Sequence, residues 1–99
     1  MAYEIEFAAS VREHLRSLTA GQRAIIFDAI EKQLVYEPLT ETRNRKLLRP
    51  NPIAPWELRI GDLRVFYEVA SDEPNVVRIL AVGRKERNRL FIAGKVVKL

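Results

Sequence analysis

Apolar and polar positions alternate most regularly over Trp56–Val69, WELRIGDLRVFYEV. Trp56, Leu58 and Ile60 fall on one parity and Glu57 and Arg59 on the other. After Gly61-Asp62, a pair suited to the positive backbone angles of a short turn, Leu63, Val65, Tyr67 and Val69 alternate with Arg64, Phe66 and Glu68. This is the pattern of a tight β-hairpin with one buried face. Upstream, Tyr3–Phe7 sets Tyr3, Ile5 and Phe7 against Glu4 and Glu6, predicting a strand with one buried side. Ser10 with Glu13 predicts a capping box opening a short helix whose apolar positions are Val11, Leu15 and Leu18. Thr19 with Gln22 predicts a second box and a longer helix. Its buried stripe is Ile26, Ala29, Ile30 and Leu34, widened by Ile25 and Phe27, and Pro38 stops it. Two helices with so short a link predict an antiparallel pair on one sheet face.

The remaining segments are less regular. Leu39–Pro55 carries Pro50, Pro52 and Pro55 and reads as an irregular connection pinned to the core by Leu47 and Leu48. Val76–Val82 is almost continuously apolar, as in a strand covered on both sides, with Arg78 interrupting it. Over Gly83–Leu99 a glycine separates two β-favouring runs, predicting a short final strand or hairpin; one helical turn over Lys85–Arg89 is the alternative. The expected class is α+β: an N-terminal strand, a helical hairpin on one face of a mainly antiparallel sheet, and a β-like tail. The opposite face would then be free for a ligand.

Ninety-nine residues make one domain, spanning 1–99, and are too few for two. The absence of cysteine excludes disulfide and thiolate chemistry. No apolar run is long enough to cross a bilayer, and MAYEIEF lacks the pattern of a signal peptide, so a cytoplasmic protein is expected. His14 is the single histidine, and with no partner at ligand spacing it is given no catalytic or metal role. A net charge of +4 favours an acidic partner, nucleic acid or an acidic protein segment.

The hairpin gives that charge a location. With a two-residue turn, Ile60 faces Leu63 and Arg59 lies directly opposite Arg64. Like charges so opposed destabilise a sheet. Either an anion sits near them, or Glu57 and Glu68 on the same face neutralise them. Arg43, Arg45, Lys46 and Arg49 crowd the preceding loop, which reads as a track for a phosphate backbone or as a solvated connection. Arg84, Lys85, Arg87 and Arg89 form a second basic cluster, and Arg78 is expected to join the Arg59–Arg64 face. Trp56 and Tyr67, on the inward parity, are expected in the core.

These features together resemble the RelE/ParE superfamily of bacterial toxin–antitoxin toxins. The resemblance runs from the opening YEIEF strand through the helical hairpin, the basic loop with its leucine pair, and WELRIGDLRVFYEV to AVGRKERNRLF. It implies a small cytoplasmic toxin with a cognate antitoxin as partner and no cofactor or metal. In the RelE branch it implies an endoribonuclease that enters the ribosome and cleaves mRNA by attack of the ribose 2′-hydroxyl on the adjacent phosphate, inhibiting translation. Arg64 falls at that branch's phosphate-stabilising arginine and Lys85 at its second cation. Where the branch carries two lysines and a tyrosine, this chain has Pro55, Glu57 and Phe91. Glu57 is left as the one candidate base. RNA contacts are expected from Arg59, Arg78, Arg84, Arg87, Arg89, Arg43, Arg45 and Lys46. The alternatives are a ParE-like toxin that binds DNA gyrase without RNA chemistry, and a degenerate member that binds only its antitoxin.

Overall fold

The computed structural model describes residues 2–99. Strand β1 (Glu4–Phe7) leads into helices α1 (Val11–Arg16) and α2 (Ala20–Leu34). Six strands follow: β2 (Arg45–Leu47), β3 (Trp56–Ile60), β4 (Leu63–Val69), β5 (Val76–Glu86), β6 (Arg89–Ile92) and β7 (Lys95–Val97).

Of the two expected capping boxes one forms. At α2 the Thr19 hydroxyl accepts the Gln22 N–H at 3.1 Å and the Gln22 side chain accepts the Thr19 N–H at 2.9 Å. Ser10 is already helical, with φ −66° and ψ −19°, and its side chain caps nothing. A capping hydroxyl needs the extended backbone that Thr19 has and Ser10 lacks. Ile26, Ala29, Ile30 and Leu34 are buried as the stripe requires, but Ile25 and Phe27 stand half-exposed. Phe27 meets the equally exposed Phe7 edge to face, with ring centres 5.9 Å apart. Arg23 binds the helices together by donating to the Leu15 and Leu18 carbonyls at 3.2 and 2.6 Å, the former shared with the Leu18 N–H.

The sheet runs β2-β3-β4-β5-β6-β7, antiparallel throughout, and β1 adds to β5 in parallel. Both β1 and β6 use the edge of β5 that β4 leaves open. β1 covers Val76–Ile79 and β6 covers Arg84–Glu86. His14 closes the gap between them, its Nδ1 accepting the Val82 N–H at 3.4 Å. Burial lowers the imidazole pKa, partly offset by Glu13, which suits a neutral acceptor.

Three expectations change. Leu39–Pro55 is not wholly irregular: Arg45–Leu47 pairs with β3, while Leu47 points to solvent and Leu48 does the pinning. β5 runs four residues beyond Val82, so no helical turn forms over Lys85–Arg89. Arg87 and Asn88, at φ 52° and 66°, make the reversal instead, and Ala93-Gly94 makes the next. The face away from the helices is also free only at its Arg59–Arg64 end. Beyond that end Phe66 and Ala81 are buried under Leu90, Ile92 and Ala54, with Leu48, Ile53 and Val97 around them. The helix-side core holds Trp56, Leu58, Leu63, Val65 and Tyr67, as the hairpin parity demands. Tyr67 stacks on Trp56 across the ladder and donates its buried hydroxyl to the Pro38 carbonyl at 2.7 Å. Burial pushes this phenol well above the ordinary tyrosine range.

Candidate anion-binding site

The β3–β4 register is Ile60 to Leu63 and Arg59 to Arg64, so both guanidinium groups rise from one face at the turn end of the sheet. They share one carboxylate. Glu57 is buried, with one oxygen 2.6 Å from Arg59 Nε and the other 4.0 Å from Arg64 Nε. Glu68, the second expected neutraliser, is engaged elsewhere.

Arg59 is nearly half-exposed and lies open to an incoming group, whereas the Arg64 side chain keeps only 12% of its surface. Arg64 folds back on its own turn, donating through Nη1 to the Gly61 and Leu63 carbonyls at 2.7 and 2.8 Å. Its Nε has no hydrogen-bond partner, the one buried side-chain polar atom so placed among the described residues. Burial lowers its pKa, Glu57 opposes that, and Arg59 adds to it. Arginine stays charged in proteins. A buried, under-neutralised cation is therefore held here, and a second anion would relieve it.

The same face carries two more cations. Lys46 lies opposite Glu57 across β2 and β3. Lys85 follows two residues after Gly83, which is the partner of Arg64 on β5. Lys46, Arg59, Arg64 and Lys85 thus form a row across four strands, with Glu57 as its internal counter-ion. Such a row can grip a phosphate backbone; proton transfer is another matter. Glu57, the candidate base that the resemblance left open, has both oxygens facing guanidinium groups and almost none of its surface in solvent. Phe91 lies beneath the Arg84 guanidinium, 4.7 Å from ring centre to carbon.

Other sequence-derived residues fall apart from this row. Arg45 is no phosphate contact: it is buried and donates to the Thr40 and Gln33 carbonyls at 2.8 and 2.9 Å, with Glu37 at 3.4 Å. It serves the open carbonyl end of α2, a role invisible in a run of basic residues. Arg78 shares the face by register but does not join the pair. It sits among Glu6 at 2.9 Å, Glu68 at 3.2 Å and Glu73 at 4.0 Å, and its hydrogen bonds to Glu6 and Glu68 raise its pKa. Arg84 lies opposite Leu63 on the helix-side parity and pairs with Glu86. Arg43, Arg87 and Arg89 are exposed. A feature the sequence reading missed is an open groove of about 790 Å³ on the helix side, where Phe7, Val11, Leu15 and Phe27 meet Arg12 and Arg16. Phe27, at the edge of the apolar stripe of α2, was its sequence signal.

Residues 5–89 match the sequence family described as ParE toxin of type II toxin–antitoxin system, parDE. The fold is similar to the RelBE2 toxin–antitoxin complex of Mycobacterium tuberculosis, with TM-score 0.71 and 26% identity, over 86% of this chain and all of that one. It is also similar to the archaeal RelE–RelB complex of Pyrococcus horikoshii, with TM-score 0.66 and 25% identity, over 88% of this chain and 99% of that one. No curated protein matches the sequence.

Proposed function

The chain belongs to the ParE toxin family of type II toxin–antitoxin systems, and from that premise we propose that it arrests translation by engaging mRNA on the ribosome. One observation carries this reading: two guanidinium groups on adjacent strands share a single buried carboxylate, and one keeps a buried Nε without a partner. A backbone phosphate supplies the missing negative charge, bound by Arg59 at the surface and by Arg64 after it leaves the turn carbonyls. Lys85 and Lys46 extend the grip along the strand. In scission, the 2′-oxygen loses its proton to water and bonds to phosphorus as the P–O bond to the 5′-oxygen breaks, that oxygen taking a proton from water. The chain's part is to stabilise charge, with Arg64 and Lys85 facing the oxyanion. Phe91 has no proton to move, and the Glu57 carboxylate is engaged with both guanidinium groups. The protein acts in the cytoplasm, and a cognate antitoxin is its partner.

A second reading is a gyrase-directed toxin, favoured by that shortage of acid–base groups. Induction of the toxin separates the two. Under the translation reading, amino-acid incorporation fails before plasmid supercoiling changes, and primer extension on translated mRNA shows toxin-dependent stops. Arg64→Ala reduces those stops about 10- to 100-fold, the equivalent of a charge-assisted hydrogen bond of roughly 1.5–3 kcal/mol. Loss of supercoiling with incorporation intact would move the assignment to gyrase.

A further inference from the structure

The positive charge of this protein is concentrated toward its C-terminal end. Residues 83–99 carry six of the seventeen basic side chains and one of the thirteen acidic ones, Glu86. This excess of five is larger than the +4 of the whole chain, so the first 82 residues hold one more acidic than basic side chain. The charge lies on a β-ribbon made by the end of β5 with β6 and β7. One face of the ribbon belongs to the core: Leu90 and Ile92 are buried against Phe66 and Ala81, and Val97 packs beside them. Register puts Arg84, Phe91 and Val96 in a row on the other face. Arg84 stacks on Phe91, and Val96 stands half-exposed beyond it. Lys98, two residues on, shares the parity of Val96.

The ribbon ends on an open edge. β7 has β6 on one side and, among the described residues, no strand on the other. Which of its backbone groups are open follows from the turn before it. Ala93 and Gly94 both have positive φ, 54° and 76°, the twist of a two-residue hairpin. In such a hairpin the residues flanking the turn, here Ile92 and Lys95, exchange both hydrogen bonds. Alternation then directs the N–H and C=O of Val97 toward β6 and those of Val96 and Lys98 outward. An open strand edge is a template for another chain. Lys95 and Lys98 stand on it, both exposed and without an ion pair among the described residues. Cations so placed bar a second copy of this chain, whose own β7 would bring the same charges, and admit an acidic strand.

We propose that the open edge of β7 takes an extended acidic segment of the cognate antitoxin, which joins the sheet as its next strand. This rests on the reading of an antitoxin partner given above. Two observations choose a polypeptide for this edge. The outward N–H and C=O groups of Val96 and Lys98 are matched in register by another main chain, which a phosphate backbone cannot do because it offers acceptors only. The family match ends at residue 89, so β7 lies wholly outside it. An element outside the shared part suits a partner particular to this chain better than a target common to the family. The edge also fixes the chemistry of the segment. It places an apolar side chain beside Val96, extending the Arg84–Phe91–Val96 row, and carboxylates beside Lys95 and Lys98. Because Leu90 and Ile92 already hold the ribbon in place, the toxin loses little conformational freedom on pairing.

The test uses the full-length toxin, free and in complex with the antitoxin encoded beside it, and reads amide exchange residue by residue by NMR. In the free protein the Val96 N–H should exchange readily, while that of Val97, bonded to β6, is protected. In the complex, exchange at Val96 should slow at least about 10-fold and Val97 should change little. Two variants follow. Val96→Pro deletes only the outward N–H, a change an edge strand tolerates, and should weaken antitoxin binding about 10-fold. It alters no charge, so binding of an unstructured RNA oligonucleotide should be unchanged. Lys95→Glu with Lys98→Glu should weaken antitoxin binding about 100-fold at low salt. Both side chains are exposed, so thermal melting should match wild type. Unchanged exchange at Val96 in a complex that does form would overturn the proposal. So would Val96→Pro binding the antitoxin like wild type, or losing RNA in place of the antitoxin. Absence of any complex would overturn the partner reading and the proposal with it, so the two failures are told apart.

Discussion

The same sheet face holds an arginine at each end, roughly 13 Å apart along β4 at about 3.3 Å per residue. At one end Arg78 is ringed by Glu6, Glu68 and Glu73, and its pKa rises. At the other, Arg59 and Arg64 divide Glu57 between them, and the Arg64 pKa falls because burial outweighs what one carboxylate returns. Both ends use the same side chain on the same scaffold, so the difference lies in the supply of negative charge. Where an arginine is structural, the chain surrounds it with glutamates from β1, β4 and the β4–β5 turn. Where two arginines meet, it provides one, buried where no solvent competes. That under-supplied pair at the end of a sheet is the observation on which the proposed anion site rests.

The contrast can be broken most severely at Glu57. Glu57→Leu removes the carboxylate that the arginine pair shares and should lower stability by about 3 kcal/mol, read from urea unfolding, because the largely buried Arg64 then loses its nearest counter-ion. Glu57→Gln keeps the shape at smaller cost. It should elute from heparin at higher salt than wild type, since the internal competitor has lost its charge. Next comes a crossed pair of substitutions. Arg64→Met should leave stability within about 1 kcal/mol, removing a guanidinium with an unmet Nε, yet weaken heparin binding. Arg78→Met should do the reverse, lowering the urea midpoint and leaving heparin elution unchanged. If the two behave alike, the distinction between the ends fails.

Between the ends, on the opposite face, Tyr67→Phe should cost about 1–1.5 kcal/mol by leaving the Pro38 carbonyl without its donor. Growth arrest should be unaltered, marking the phenol as structural. The smallest effect belongs to His14. Its folded-state pKa lies below the unfolded value of 6.5, so as pH falls the unfolded chain takes the proton first. The imidazole's contribution is complete above pH 6.5 and is lost as acid carries the pH down through the lowered folded value. The urea midpoint at pH 5 should fall short of that at pH 7.5, and His14→Gln should flatten the difference.

Much of this architecture was legible from periodicity. Hairpin parity alone placed Arg59 against Arg64 and Trp56, Leu58 and Tyr67 in the core. What it missed depends on partners remote in sequence. Arg45 looks like one more surface cation until the end of α2 arrives with carbonyls to satisfy. The second core was signalled by Phe66, a large aromatic on the parity of Arg64 and Glu68, but nothing local says that Leu90 and Ile92 return to cover it. Ser10 and Glu13 have the spacing of a capping box, yet spacing cannot report that Ser10 has already entered the helical region. In the site, the residues were found and their wiring was not. Glu57 was legible as a neighbour of the pair, whereas its burial beneath both arginines required the full sheet.

The parallel pairing of β1 with β5 has a consequence for how the protein comes into being. Glu4 finds its neighbour at Val76, so the first strand made must wait for more than two-thirds of the chain before it can be seated. Loop closure over such a span is slow compared with helix formation. While it is being synthesised, the toxin therefore has its helices well before it has a finished sheet. The cationic row needs Lys85 and so is complete only after β5 has left the ribosome and paired with β4.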